Sequence, residues 1–242
     1  MAAPEATGST ATATVRPQEA RCALWFRVLR WAAGFALALV ILVGYTVLST
    51  WNVDRFLDGG LATRALWTRL DRAVPTVPEA IWPYGLYYVL VMMPMFAVRR
   101  VRELGEVLTA YLFVTVSAWV VYALWPVRME YPHLVCGGRF SCEVLLRLWS
   151  MDMGVNVMPS LHAAHSALAA AIFWSYRSKA WPVIAAGAAA VSIAAVLTRQ
   201  HYILDIVAGV ALALVGWALV RLVFGALVPS RESARGRAPV VG

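Results

Sequence analysis

The sequence predicts an all-α membrane protein, built as a bundle of six transmembrane helices. Hydrophobic residues make up 61% of the 242 positions, only 14% are charged, and the mean hydropathy is +0.69, which is far from the composition of soluble domains. A helix of roughly 20 apolar residues crosses about 30 Å of hydrocarbon. Six runs in the chain are apolar and long enough: residues 31–53, 80–98, 107–127, about 157–176, 180–198 and about 203–224.

The distribution of charge predicts how the chain is oriented. Six spans place both termini on one side, and that side would hold 13 basic and 5 acidic residues, a balance of +8 that equals the formal net charge of the chain. Because Lys and Arg are retained in cytoplasmic loops, we expect a multi-pass protein of the cell membrane with both termini cytoplasmic. The charge is spread over short loops and tails, which favours membrane lipids over nucleic acid as partners. The sequence leaves the oligomeric state open.

This layout divides the chain into three regions. Residues 1–24 are predicted to be a disordered cytoplasmic tail, because they are rich in Ala, Thr, Glu and Pro and lack hydrophobic periodicity. Residues 25–228 form the six-helix membrane domain, and residues 229–242 form a basic cytoplasmic tail. The first span is longer than the apolar core of a signal peptide, which indicates an uncleaved anchor.

Two further patterns surround the start of the second span. Over residues 54–78, leucines and aromatic residues recur among arginines, which favours an amphipathic helix in the outer interface, with an ordinary structured loop as the alternative. Within the span, Pro94 is expected to produce a kink. Four aromatic residues at its start fit an interfacial aromatic belt and need no functional role: Trp82, Tyr84, Tyr87 and Tyr88.

The cysteines agree with the predicted orientation. Cys136 and Cys142 lie in the loop 128–156, which is extracytoplasmic in this topology, and two glycines lie between them. A small disulfide-closed loop is therefore sterically easy, and its compartment is oxidising. Cys22 precedes the first span on the reducing side and is expected to be an inert thiol.

His201 and Asp205 stand where the hairpin between the last two spans turns. Residues four apart lie on one helix face, so the Asp205 carboxylate can accept a hydrogen bond from one ring nitrogen of His201 and leave the other nitrogen basic. An imidazole oriented in this way is a nucleophile or a base. The alternative is an interfacial pair that only tethers two helices. Ionisable residues are expensive at this depth, which favours a reaction site.

A second polar element begins the fourth span. Pro159 and Ser160 are typical of a helix start, where free N–H groups and the helix dipole favour an anion. His162 would then lie beside that anion, placed to protonate a departing oxygen; a hydrogen-bonded interhelical histidine is the alternative. His165, one turn deeper, is expected to pack or to support the site from behind rather than to line it.

Two arginines supply what a phosphate needs. Guanidinium groups bind phosphate oxygens in a bidentate manner and keep their charge, so Arg128 and Arg199 are candidate phosphate ligands together with Ser160. Each arginine has an alternative role, in which it extends to lipid headgroups. All these elements fall on the outer side in the predicted topology, which indicates an extracytoplasmic-facing active site for phosphoryl transfer.

Two blocks of the chain carry a resemblance to a known family. The blocks read Pro159-Ser160-Leu161-His162 and Arg199-Gln200-His201-Tyr202-Ile203-Leu204-Asp205. They resemble the second and third signatures of the type 2 phosphatidic acid phosphatase superfamily, and their form is most similar to its inositol phosphorylceramide synthase-like branch. The resemblance covers roughly residues 95–225.

This resemblance implies an enzyme that needs neither metal nor other cofactor. His201 would attack phosphorus to form a phosphohistidine, Asp205 would orient it, and His162 would protonate the leaving alkoxide. Water or an acceptor alcohol would then resolve the intermediate. The chain departs from the phosphatases at two places: Ala195 stands where their third signature has Arg, and the first signature is absent as written, its region reading Trp125-Pro126-Val127-Arg128.

The function predicted first is therefore an integral membrane lipid phosphate phosphatase, which hydrolyses a lipid phosphomonoester or diphosphate. The alternative within the same chemistry is a phosphotransferase, which moves a phospho-headgroup such as phosphoinositol from a lipid donor to an alcohol acceptor. A different class is a non-catalytic membrane protein, either a transporter or a metal or haem protein. The nearby arginines argue against a bound cation; its ligands would be His162, His165, His201 and Asp205.

Overall fold

The computed structural model describes residues 17–59, 64–152 and 154–227. These ranges are helical and contain no strand; a single isolated bridge joins Arg64 to Val127. Most of the predicted N-terminal tail and the whole of the predicted C-terminal tail lie outside them. The described α-helices are α1 (Pro17–Leu57), α2 (Arg69–Ala73), α3 (Ile81–Gly85), α4 (Tyr87–Leu90), α5 (Pro94–Ala97), α6 (Val101–Leu124), α7 (Phe140–Asp152), α8 (Leu161–Ser175), α9 (Trp181–Leu197) and α10 (Ile203–Leu227), and a short 3-10 helix covers Pro78–Ala80.

Within the described ranges, four helical segments are long and apolar enough to cross a membrane. They are Arg21–Leu57, Pro78–Ala97, Val101–Leu124 and Ile203–Ala226, and they coincide with the predicted spans 1, 2, 3 and 6. The helices α8 and α9 have 15 and 17 residues, which at 1.5 Å per residue makes each of them about 22 to 26 Å long. The protein is therefore an all-helical membrane protein, and the crossing of α8 and α9 stays a prediction.

The second span is broken into short helical pieces by its prolines. The 3-10 helix, α3, α4 and α5 follow one another between Pro78 and Ala97, and each proline lacks the N–H that a continuous helix would use. The break is more extensive than the single kink predicted at Pro94. It turns Tyr84 inward, where only 4% of the residue is exposed.

The segment after α1 is mostly loop. Of the predicted amphipathic helix 54–78, residues 54–57 form the end of α1, and of the described residues that follow, up to Val77, only the five of α2 are helical. A capping box starts α2, since Thr68 Oγ1 accepts from the Asp71 N–H at 3.1 Å and Asp71 Oδ2 accepts from the Thr68 N–H at 2.8 Å. Val74 precedes Pro75 and is extended, because a residue before proline disfavours helical backbone.

The helix α8 lies at the centre of the bundle and packs on α9, α10 and α6. Its faces toward these helices carry small side chains such as Ala163, Ala164 and Ala169, all fully buried, which allow close approach. At Gly209 of α10 the approach is closest, since a Cβ there would lie 2.4 Å from the carbonyl oxygen of Ser160. Backbone therefore contacts backbone where α8 begins.

A disulfide joins Cys136 and Cys142, whose Cα atoms lie 5.3 Å apart. Gly137 and Gly138 between them have φ angles of +55° and +80°, a left-handed conformation that glycine adopts without steric cost. The bond ties this turn to the first turn of α7. Cys22 is a free, exposed cysteine.

Candidate active site

His201 lies in the turn between α9 and α10 and is buried. Its Nδ1 is 2.8 Å from the carbonyl oxygen of Val157. A carbonyl oxygen only accepts hydrogen bonds, so Nδ1 carries the ring proton and donates it. The lone pair of the neutral ring is therefore on Nε2, the atom that would act as a nucleophile or base.

His162, in the first turn of α8, faces that lone pair. Its Nδ1 lies 3.3 Å from Nε2 of His201, and since His201 Nε2 is the acceptor, His162 Nδ1 must be the donor. The other nitrogen, Nε2, then accepts from the hydroxyl of Tyr84 at 2.9 Å. One backbone carbonyl thus sets the tautomers of two histidines and the direction of a tyrosine O–H.

Asp205 lies near the other side of His201 in the first turn of α10. Its Oδ2 is 3.7 Å from His201 Nδ1, too long for a hydrogen bond, and it accepts instead from the Tyr202 N–H at 2.7 Å. The hydrogen bond expected from His201 to Asp205 is thus made to Val157. The carboxylate is fully buried, and its Oδ1 has no hydrogen-bond partner within the described residues.

Ser160 is the N-cap of α8 and is fully buried. Its Oγ accepts from the Ala163 N–H at 3.2 Å, and its own N–H donates to the Asp205 carbonyl oxygen at 3.0 Å. The start of α8, which carries His162, is therefore joined to the start of α10, which carries Asp205.

His165 lies one turn along α8 from His162 and is fully buried. The Tyr87 hydroxyl lies 3.0 Å from its Nδ1, and Thr115 Oγ1 lies 3.0 Å from its Nε2. Both ring nitrogens thus have protein partners, one from the broken second span and one from α6.

Arg199 has a left-handed backbone, with φ of +55°, and its guanidinium is turned toward the loop that follows α2. It donates to the carbonyl oxygens of Asp71, at 2.8 Å, and Val74, and to Thr76 Oγ1 at 3.2 Å. Three of its N–H groups therefore join α2 and the loop after it to the turn that carries His201.

Arg128 lies between α6 and α7. Its guanidinium carbon is 4.3 Å from the centre of the Phe56 ring, a cation–π distance. Its Nε is buried and has no hydrogen-bond partner among the described residues. Its carbonyl oxygen accepts from the Tyr202 hydroxyl at 3.0 Å, which places the arginine next to the turn that carries His201.

A cavity of about 540 Å³ opens from the histidine pair. Its walls are mostly apolar and come from α1, the broken second span, α7 and α8, and its polar end holds both histidines. Neither arginine nor Asp205, Ser160 or His165 is among the described residues that line it. The residues that do line the cavity include Phe35, Leu39, Leu42, Tyr45, Tyr84, Tyr88, Val91, Tyr122, Met151, Asp152, Asn156, His162, Gln200 and His201.

Asp152, the last residue of α7, was not singled out by the sequence. Its Oδ1 accepts from the Tyr45 hydroxyl at 2.8 Å. With the Gln200 amide oriented to satisfy its partners, that amide donates to Oδ2 at 3.2 Å. Burial raises the pKa of the Asp152 carboxyl, against the opposing effects of the Tyr45 hydrogen bond and of His201. The signal in the sequence is a lone acid within an apolar stretch that leads to Pro159.

Two tyrosines of the second span also make contacts that the sequence did not predict. Tyr84 and Tyr87 contact His162 and His165, so these two side chains lie against the histidines of α8 and not in the expected interfacial belt. Trp82 and Tyr88 are exposed and fit the belt. A spacing of three residues puts Tyr84 and Tyr87 on one side of a helical turn, and His162 and His165 on one side of α8. This equal spacing is the feature of the sequence that indicates the two contacts.

Within the described ranges, no group of three or more His, Cys, Asp or Glu side chains lies close enough to hold a metal ion. The histidine pair instead has hydrogen-bond partners from tyrosine and backbone. The chemistry that these groups support directly is proton transfer and nucleophilic attack by a neutral imidazole.

Comparison with known proteins identifies the family. A family model described as the PAP2 superfamily matches residues 48–219, which is more than half of the chain and contains both histidine blocks. No curated protein and no solved structure matches the chain. Members of this superfamily are generally phosphatase-type enzymes, which agrees with a pair of contacting histidines in a bundle of apolar helices. The chain belongs to the PAP2 superfamily.

Proposed function

We propose that the protein is an integral membrane lipid phosphate phosphatase that hydrolyses a lipid phosphomonoester or diphosphate through a phosphohistidine on His201. The observation that carries the proposal is the contact between His162 and His201 at the polar end of an apolar cavity. One ring presents a lone pair and the other a proton at the same point. A lipid phosphate needs both of these and an apolar space for its chain.

In the first step, the phosphoryl group displaces the hydrogen bond between the two histidines. Nε2 of His201 attacks phosphorus, the bond from phosphorus to the lipid oxygen breaks, and His162 Nδ1 gives its proton to the leaving alkoxide. In the second step, water attacks phosphorus, its proton goes to His162, and the electron pair of the P–N bond returns to His201. Atoms and charges balance over the two steps, and the protein returns to its starting protonation.

Asp205 is proposed to stabilise the phosphohistidine rather than to hold its proton. While phosphorus is bound to Nε2, the His201 ring still carries the Nδ1 proton that it donates to Val157 and is positive. A carboxylate 3.7 Å away favours that charge in a site from which water is largely excluded.

Arg128, Arg199 and Ser160 are proposed to bind the phosphate oxygens. Arg128 has a buried Nε without a partner among the described residues, so a phosphate oxygen would satisfy it. Arg199 already donates to the outer loop, and its positive charge acts from beside His201. Ser160 lies at the N-terminus of α8, whose dipole favours an anion.

The apolar length of the cavity suits a lipid chain. It follows α1 from Leu42 to Phe35, a distance of about 10 Å at 1.5 Å per residue. In the proposed topology six helices cross the membrane, both termini are cytoplasmic, and the histidine pair faces the extracytoplasmic side. A lipid phosphate would then enter from the outer leaflet, with membrane lipids as the partners of the basic cytoplasmic loops.

The second candidate is a phosphotransferase of the inositol phosphorylceramide synthase-like branch, which would pass a phospho-headgroup to an alcohol. It shares the phosphohistidine and differs in the nucleophile of the second step. The observation that favours it is Asp152, since a carboxylate in the cavity disfavours a dianionic phosphomonoester more than a monoanionic phosphodiester.

Phosphate release by the purified protein tests the proposal. With a chelator present, it should release phosphate from phosphatidic acid, phosphatidylglycerol phosphate or a polyprenyl diphosphate. His201→Ala should abolish the activity, and His162→Ala should lower it on the order of a hundredfold or more, since a general acid contributes that much. His133→Ala is the matched control, because His133 is an exposed histidine of the outer loop. Absence of turnover on every lipid, or full activity of both site variants, would refute the proposal.

A further inference from the structure

Asp71 is a buried acid of the segment that joins α1 to the broken second span, and only 1% of it is exposed. Its Oδ1 accepts from the N–H of Ile203 at 2.8 Å. Ile203 is the first residue of α10, and the first N–H groups of a helix lack partners within the helix. A negative charge is also favoured at this end of a helix. Asp71 therefore acts as a cap for α10 that comes from a distant segment of the chain.

The main chain of Asp71 contacts the other side of the same turn. Its carbonyl oxygen accepts from Arg199 Nη1 at 2.8 Å. Arg199 precedes His201 by two residues, and Ile203 follows it by two. Residues 198–202 are not helical, so the position of this turn depends on contacts with other segments. Asp71 makes such contacts on both sides of His201.

Hydrogen bonds within its own segment hold Asp71 in place. Its Oδ2 accepts from the Thr68 N–H at 2.8 Å and from the Thr68 hydroxyl. The segment is attached to the end of α9, where the Val77 N–H donates to the Leu197 carbonyl oxygen at 2.9 Å. Burial raises the pKa of the Asp71 carboxyl, but the pKa is lowered overall, chiefly by the hydrogen bonds from Thr68 and Ile203. The carboxyl is therefore charged at neutral pH, which makes it a stronger acceptor for Ile203 than a neutral group would be.

The distance on which the proposed reaction depends lies next to this turn. Nε2 of His201 is 3.3 Å from Nδ1 of His162, and His162 is carried by α8. A shift of the turn relative to α8 would therefore separate the nucleophile from the proton donor. None of the described residues 64–77 lines the cavity, so such a shift would leave the space for the lipid chain as it is.

We infer that Asp71 is a positioning residue, which holds His201 in place for attack on phosphorus by binding Arg199 and Ile203 on either side of it. The inference rests on the proposed function, since the position of His201 affects a rate only if His201 reacts. The alternative role is purely local, because Asp71 also belongs to the capping box of α2. Variants that break one of these contacts and keep the other separate the two roles.

Two variants break the contact with α10, and one breaks the contact within α2. Asp71→Ala removes the acceptor, and Ile203→Pro removes the donor at the first helical position, where proline is tolerated. Thr68→Val is the matched control, because it removes the side-chain cap of α2 and leaves Asp71 to accept from Ile203. Asp71→Asn keeps an oxygen for Ile203 and is the conservative variant. Each full-length variant is purified, and its kcat and KM are measured on the best of the lipid phosphates named for the proposed function.

Asp71→Ala and Ile203→Pro should each lower kcat, on the order of tenfold to a hundredfold, since displacing a reacting group by about 1 Å costs up to that much. KM should stay close to the wild-type value, because the cavity is unchanged. The double variant should be no slower than Asp71→Ala, since both changes break the same hydrogen bond. Asp71→Asn should regain most of the lost kcat, and Thr68→Val should keep the wild-type kcat.

An equal loss of kcat in Thr68→Val and Asp71→Ala would mean that Asp71 only caps α2, and would overturn the inference. Losses that multiply in the double variant would overturn it as well, and so would a loss seen only in KM. If Asp71→Ala does not fold, a wild-type kcat of Ile203→Pro is sufficient to overturn it. All these outcomes leave the proposed function standing. If the wild-type protein itself releases phosphate from none of those lipids, the proposed function fails and the inference fails with it.

Discussion

Val157 accepts a hydrogen bond from His201 Nδ1 at 2.8 Å, and through this contact the backbone determines which nitrogen of the neutral ring has the lone pair. His162 Nδ1 then donates to His201 Nε2, and the Tyr84 hydroxyl donates to His162 Nε2, so all three hydrogen bonds have a defined direction. At the residue scale, these hydrogen bonds hold the two rings in the tautomers that the proposed attack by His201 and the proposed proton donation by His162 require. Such preorganisation is the main contribution of a protein to phosphoryl transfer.

Tyr84→Phe tests this chain of donors. Without the hydroxyl, His162 loses the donor to its Nε2, so its ring is free to take the other tautomer or to rotate. We expect kcat on a lipid phosphate to fall up to about tenfold, the value of one neutral hydrogen bond. The fall should be much smaller with a p-nitrophenyl phosphate ester, whose leaving group needs no proton.

Tyr88→Phe is the control for this experiment, since Tyr88 lines the cavity and is exposed. It should keep wild-type kcat on both substrates. If Tyr84→Phe slowed the two substrates equally, Tyr84 would not act through the proton of His162.

Spacing in the sequence was enough to identify His162, His201 and Asp205 as neighbours, because a four-residue step and a helix start have direct geometric meaning. The contacts that orient them were not predictable in this way. Val157 lies 44 residues from His201, in a loop, and Tyr84 lies 78 residues from His162, in a helix of only five residues. A carbonyl acceptor has no signature in the sequence, since every residue has one.

At the scale of elements, α8 and α10 are held together where the site begins. The Ser160 N–H donates to the Asp205 carbonyl oxygen at 3.0 Å, and the absence of a side chain at Gly209 allows this approach. The distance between the helix that carries His162 and the one that carries Asp205 is therefore set by backbone contact, which is stiffer than contact between flexible side chains.

Gly209→Ala should separate these two helices. The added Cβ would meet the Ser160 carbonyl oxygen at 2.4 Å, and overpacking of this kind costs about 1–3 kcal/mol. We expect a lower melting temperature in detergent and a lower kcat. Gly225→Ala in the same helix is the matched control, since nothing lies within 4 Å of its added Cβ, and it should be neutral or slightly stabilising. Wild-type stability of Gly209→Ala would contradict the role given to this contact.

Arg199 connects two elements through contacts that the sequence did not predict. Its position beside His201 makes it a candidate phosphate ligand, and its guanidinium also donates to a carbonyl oxygen of α2 and to a carbonyl oxygen and a hydroxyl of the loop after α2. That loop was expected to be an amphipathic helix. Pro75 and the capping box of Thr68 keep its helix to five residues, and the carbonyl groups thus left without helical partners become acceptors for the arginine.

At the scale of the whole molecule, the hydropathy of the sequence predicted the positions of the apolar segments better than it predicted where the helices begin and end. The apolar run 31–53 predicted the first crossing, yet α1 extends from Pro17 to Leu57, since a helix continues into polar ends that hydropathy excludes. The runs at 157–176 and 180–198 gave the shorter α8 and α9. The helix α8 begins after its N-cap at Ser160 and ends at Tyr176, so it is shorter than the usual length of a membrane-crossing helix.

The six-span topology is tested by thiol labelling with a membrane-impermeant maleimide. In intact cells, Asp58→Cys after α1 should react. Native Cys22 and Lys179→Cys, placed in the turn between α8 and α9, should react only after permeabilisation. All three positions are exposed. Labelling of Lys179→Cys in intact cells would show that α8 does not cross and that the two short helices lie on the outer side.

The central claim is that His201 forms the bond to phosphorus, and trapping that bond tests it most directly. Purified protein is mixed in chelator with a lipid carrying radiolabelled phosphate, quenched in alkaline detergent within the first turnover, and mapped by mass spectrometry. The account predicts base-stable, acid-labile phosphate on the peptide that contains His201, present in His133→Ala and absent in His201→Ala. Phosphate on another residue, or wild-type turnover with no labelled protein, would contradict it.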